Sequence, residues 1–136
     1  MITATVIYKG NLRTQCTHTA SGNSFITDAP VDNNGKGEAF SPTDTVATAL
    51  ATCMLTVMGI KAESLEIDLT GTTAEVVKTM ASNPRRISKI EVTLSLPESI
   101  SEKNRKILEH TGRTCPVFYS LHPDIVCDIH FHWNQH

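Results

Sequence analysis

The chain has 136 residues, with 12 Lys and Arg against 14 Asp and Glu and a formal net charge of −2. That length fits a single domain over residues 1–136, and a domain of this size buries roughly two-thirds of its unfolded surface without help from a metal or disulfide. The near-neutral charge, the absence of a basic run and an aromatic content of 5% argue against nucleic acid, single-strand stacking or an anionic membrane as partners.

The N-terminal stretch shows no charged segment followed by an apolar run, so no secretory signal is expected. The most apolar stretch, Val46 to Ile60, is interrupted by Thr48, Thr52 and Thr56 and falls short of the ~20 residues of a membrane helix. A cytoplasmic location is the expectation. In that reducing compartment the four cysteines read as free thiols, catalytic thiols or metal ligands rather than bridges.

Ile2, Ala4, Val6 and Tyr8 alternate with polar residues, which predicts a half-buried strand. Lys9-Gly10-Asn11 marks a turn, and Leu12 to Thr19 reads as the returning strand of a hairpin. Ser21-Gly22-Asn23 is a second turn and Ser24 to Thr27 a short third strand. The Asp-, Asn- and Gly-rich segment from Asp28 to Gly37 reads as a polar, mobile loop.

Ser41-Pro42-Thr43-Asp44 predicts a helix start: Ser41 can cap, Pro42 suits the first helical position, and Asp44 sits where a capping-box acid goes. Val46, Ala47, Ala49, Leu50, Ala51, Met54, Leu55, Val57 and Met58 then place apolar groups on nearly every face, which predicts a long buried helix ending between Gly59 and Glu63. Leu65, Ile67 and Leu69 alternate with polar residues, and Ala74 to Met80 is strand-like. Asn83-Pro84 turns the chain into a strand through Ile87, Ile90, Val92, Leu94 and Leu96. Ser101 opens a second helix that closes near Gly112, Cys115-Pro116 begins a short third one, and Ile125 to Trp133 alternates as a last strand. This order predicts an α+β fold with a mostly antiparallel sheet and a long buried central helix.

The four cysteines differ in their surroundings. Cys127 shares a strand face with Ile125, Ile129 and Phe131 and reads as a small core residue, and Cys16 reads as structural. Cys53 lies mid-helix on the Val46, Leu50, Val57 stripe, where it is either a core residue or a thiol that needs a cation from elsewhere. Cys115 precedes Pro116, so it is an N-cap candidate whose thiolate would face free N–H groups and the positive helix end, with Arg113 nearby. No Cys/His set has zinc-finger spacing. His130, His132 and His136 could in principle hold a metal but read as a solvated strand face and chain end. No G-x-S-x-G, phosphate-loop or dinucleotide motif is present.

The segment Ser41-Pro42-Thr43-Asp44 followed by Ala47-Thr48-Ala49-Leu50-Ala51-Thr52-Cys53 resembles the first cysteine motif of the OsmC/Ohr family of osmotically induced and organic hydroperoxide resistance proteins. Cys115-Pro116-Val117, with Ser120-Leu121 and the alternating final strand, resembles the second. The resemblance covers essentially the whole chain and looks most like the broad OsmC-like group. It implies an intertwined homodimer with the cysteine-bearing helices at its centre and active sites at the subunit interface. It implies no cofactor and no resident metal.

The implied chemistry is a peroxidase cycle on small organic hydroperoxides, with some activity on hydrogen peroxide. Cys53 attacks and becomes a sulfenic acid, Cys115 closes a disulfide, and an external dithiol, such as a lipoylated protein, reopens it. Arg13 matches the family arginine that pairs with the first cysteine. Asp44 or Glu38 would be the acid that holds it. The alternative is a non-catalytic redox-sensing or small-molecule-binding stress protein on the same fold.

Overall fold

A computed structural model describes residues 1–136. Its elements in chain order are strands β1 (Ala4–Gly10), β2 (Arg13–His18) and β3 (Ser24–Asp28), helix α1 (Pro42–Ser64), strands β4 (Thr73–Ala81) and β5 (Arg86–Pro97), helices α2 (Glu102–Arg113) and α3 (Pro116–Ser120), and strand β6 (Val126–Gln135). The contacts divide the chain into two compact units, Met1–Val46 and Ala47–His136.

The first unit is a three-stranded antiparallel sheet in the order β1-β2-β3. Positive φ angles at Gly10, Asn11 and Leu12 turn β1 into β2. The segment expected to be a mobile polar loop is instead tied down at several points. Asp28 is the last residue of β3, and Ala29 N–H bonds the Leu12 carbonyl at 3.0 Å. Gly35 N–H donates to Pro30 O and Gly37 N–H to Ala29 O. A side chain at Gly35 would meet the Ala29 carbonyl oxygen at 1.7 Å, so glycine is required there by close approach.

Helix α1 opens on the predicted cap, closed in both directions: Asp44 N–H donates to Ser41 Oγ at 3.0 Å, and Ser41 N–H donates to Asp44 Oδ2 at 2.9 Å. Its 23 residues are long and apolar enough, by length and composition, to cross a membrane. Within this chain it buries one face, through Ala47, Leu50, Ala51, Met54, Met58 and Ala62. Val46 and Ile60, on its other faces, stay exposed within one chain.

The second unit has a three-stranded sheet in the order β4-β5-β6. The expected sheet is thus split in two, and β6 runs parallel to β5 while β4–β5 is antiparallel. Parallel pairing follows from the long α2–α3 crossover between β5 and β6, since a hairpin could not supply it. Ile90, Val92, Leu94 and Leu96 alternate inward along β5 and are fully buried in one core with the α1 stripe and Leu108. Trp133 Nε1 donates to Glu109 Oε2 at 2.9 Å, and the Arg105 guanidinium lies 5.5 Å from the Trp133 ring centre, which fixes α2 over β6. The 65–70 segment, although alternating, is no strand: Glu66 takes a positive φ, and Asp68 Oδ1 accepts the Thr70 N–H at 2.9 Å to form a turn.

The central place of β5 gives a direct expectation. Leu94→Ala should cost about 2–5 kcal/mol of unfolding free energy, read as a lower urea midpoint.

Candidate active site

The two motif cysteines meet in the second unit. Cys53 is half-buried, three residues after Leu50 and one before Met54 on α1. Cys115 is the N-cap of α3, with Pro116 at the start of that helix, as its sequence context predicts. The Cys115 thiol lies near enough to Cys53 for the two to interact electrostatically. All four cysteines are free thiols.

The electrostatics of Cys115 differ from the reading of its position alone. Cys115 is fully buried, and desolvation raises its pKa above the ordinary thiol value. The N–H groups of Phe118 and Val117 oppose this but do not prevail, and the neighbouring Cys53 raises it further. A helix of five residues offers a small dipole against complete burial. Cys115 is therefore held as a protonated thiol.

Cys127 and Cys16 have different surroundings. Cys127 packs against the core, and burial pushes its thiol pKa up. Cys16 sits in β2 opposite Phe25, with its sulfur 3.9 Å from Thr14 Oγ1. No three His, Cys, Asp or Glu side chains converge in a metal-binding group. His130 Nε2 lies 3.1 Å from Asp128 Oδ1, while His136 Nδ1 lies 2.7 Å from Glu98 Oε1.

Arg13 belongs to the first unit and is gripped there by two acids. Its Nε and Nη2 donate to Asp28 Oδ1 and Oδ2 at 2.7 and 2.8 Å, a two-pronged pair. Nη2 also reaches Glu38 Oε1 at 3.2 Å. Glu38 was a sequence candidate for holding Arg13; Asp28 was missed. Its signal lay in the register: a hairpin turning at Ser21-Gly22-Asn23 pairs Thr17 with Ser24 and, counting outward, Arg13 with Asp28. Asp44, the other candidate acid, closes the α1 cap.

Asp28 is only 2% exposed and also accepts the Glu38 N–H at 3.1 Å. The Arg13 hydrogen bond, followed by the Glu38 N–H, holds its pKa below the ordinary carboxylate value. A depressed carboxylate stabilises the fold above the unfolded pKa of about 4 and loses that contribution as pH falls through the folded pKa. Asp28→Asn should therefore lower stability at pH 7 and flatten the decline below about pH 4, measured by urea unfolding across that range.

The profile of the OsmC-like protein family matches residues 35–130, a span that includes both motif cysteines. A protein of Psychrobacter arcticus 273-4, provisionally described as an osmotic stress induced and detoxification response protein, is 54% identical over 97% of this chain and 96% of its own, with a TM-score of 0.94. An organic hydroperoxide resistance protein OsmC from Legionella pneumophila shares the fold at 13% identity and a TM-score of 0.74, covering 97% of this chain and 98% of its own. One from Elizabethkingia anophelis does so at 14% identity and a TM-score of 0.75, covering 98% of each chain. No curated protein matches. The chain belongs to the OsmC-like family.

Proposed function

We propose that this protein is a thiol-dependent peroxidase that reduces organic hydroperoxides through Cys53 and Cys115. The feature that carries the reading is the proximity of the two motif thiols, with Cys53 near enough to act electrostatically on the buried Cys115. Fold relatives described as organic hydroperoxide resistance proteins support the same class of chemistry.

The Cys53 thiolate attacks the terminal peroxide oxygen. The O–O bond breaks, an S–O bond forms, and the leaving alkoxide takes a proton to become an alcohol. Sulfur has lost two electrons, so Cys53 is now a sulfenic acid. Cys115 gives up its proton and attacks that sulfur, releasing water and forming the disulfide. An external dithiol, for which a lipoylated protein is the family-based expectation, reduces the bridge by exchange and is itself oxidised. A buried, protonated Cys115 suits the second role: it is a weak nucleophile toward peroxide and becomes competent once an electrophilic sulfenic acid lies against it.

Arg13 is proposed as the cation that supports the Cys53 thiolate. The two-acid grip supports this reading by fixing one orientation of the guanidinium. Leu50, Met54 and Val57 beside Cys53 favour alkyl over purely polar peroxides. A cytoplasmic homodimer is part of the proposal, supported by the exposed apolar residues Val6, Ile7, Tyr8 and Phe25 in the first sheet and Val46 and Ile60 on α1.

Turnover of cumene hydroperoxide with dithiothreitol tests the cycle. Cys53→Ser should lose at least about a hundredfold in rate. Cys115→Ser should form a trappable sulfenic acid and no disulfide. One equivalent of peroxide should remove the Cys53 and Cys115 thiols from the wild type and spare Cys16 and Cys127. Retention of all four thiols would favour the non-catalytic reading instead.

A further inference from the structure

A cavity of about 170 Å³ has walls that include Leu50, Met54, Phe118, Ile129 and the free thiol Cys127, with Arg113 also in its lining; Cys53 and Cys115 are not themselves among its wall residues. The helical repeat places Leu50 roughly 60° and Met54 roughly 100° around α1 from Cys53, on the same side. Phe118 is carried by α3, the helix that Cys115 caps. The two segments that supply the thiols therefore also build the cavity.

Its size and lining define a ligand. A dry apolar cavity of about 150 Å³ accommodates benzene, so this one suits a single ring or a short branched chain and not a long acyl chain. Against these apolar walls stands one permanent cation. Arg113 is the last residue of α2, and its guanidinium lies over the Phe131 ring at 5.1 Å from the centroid. The stacked face restrains the side chain, while the in-plane N–H donors of a guanidinium remain suited to a carboxylate.

We infer that this cavity selects the peroxide, and that its preferred substrates are ring-sized or short branched hydroperoxides bearing a carboxylate, which Arg113 pairs. The inference rests on the peroxidase reading and narrows it. Arg113 is then a specificity determinant: it holds the end of the substrate remote from the O–O bond and takes no part in sulfur chemistry. Gly112 contributes by its lack of a side chain, since a Cβ there would stand 2.8 Å from Met58 Sδ and 3.5 Å from Met54 Cε, crowding the cavity wall.

The test compares cumene hydroperoxide with its para-carboxylate in the full-length protein, with dithiothreitol as reductant. Wild type should favour the carboxylate by about tenfold to a hundredfold in kcat/KM, the range of a charge-assisted hydrogen bond, with the difference residing in KM. Arg113→Gln should bring the ratio of the two substrates close to one, and Arg113→Lys should restore part of it. A ratio near one in wild type overturns the inference. So does a preference that survives in Arg113→Gln, even if that variant is less stable, because Arg113 would then serve only to pack on Phe131. Benzoate binding, followed through amide shifts of Arg113, Phe118 and Ile129, decides the pocket without turnover. Saturable binding in wild type that is lost in Arg113→Gln sustains it even if neither peroxide is consumed, a result that would remove the peroxidase reading alone. Absent or equal binding overturns it.

Discussion

Close packing of α1 against the end of α2 is the constraint on which the functional half of this molecule depends. Gly112 is buried, and a Cβ there would stand 2.8 Å from Met58 Sδ, so a side chain would force Met58 of α1 to move. With the end of α2 held that near, the chain has only Arg113 and Thr114 to cross before Cys115, and Cys115 lands against Cys53. The buried stripe of α1 and the inward side chains of β5 supply the apolar contact that holds this geometry. Packing of this kind is close to crystalline density, so a dithiol seated on it keeps its alignment without a pre-existing bridge.

The same packing makes the two thiols unequal. Complete burial costs the charged form of Cys115 more than the short α3 helix returns, while Cys53 stands at the margin of the buried stripe. In the proposed cycle this difference in solvation divides the labour: the half-buried Cys53 would meet the peroxide and the buried Cys115 would resolve the sulfenic acid. The cavity lined by Leu50 and Met54 of α1 and Phe118 of α3 is the proposed place of substrate recognition.

The first unit is organised by charge instead. Arg13 and Asp28 face each other across β2 and β3, and the same carboxylate accepts the Glu38 N–H, so one buried acid orients the arginine and closes the loop that leads to α1. The guanidinium is engaged along its Nε and Nη2 edge, which leaves its Nη1 side outside this grip. A bidentate pair fixes direction as well as charge, and a proposed catalytic cation needs both.

The sequence by itself determined the local features. Ser41 and Asp44 specify the start of α1 because a capping box is written in residues three apart. The alternation of β5 specifies its buried face because strand side chains repeat every two residues. Pro116 marks the start of α3, and the order of strands and helices, with the two cysteine motifs, identifies the family. What only tertiary structure decided depends on residues far apart in the chain. Alternation at Leu65, Ile67 and Leu69 did not make a strand, since the Asp68 turn and a positive φ at Glu66 outweighed it. Asp28 read as the first residue of a loop, and only strand register made it the partner of Arg13. Position at a helix start gave Cys115 a local reason for a lowered thiol pKa, and burial raises that pKa instead, because solvation of a charge is set by every neighbour and not by the adjoining residues alone.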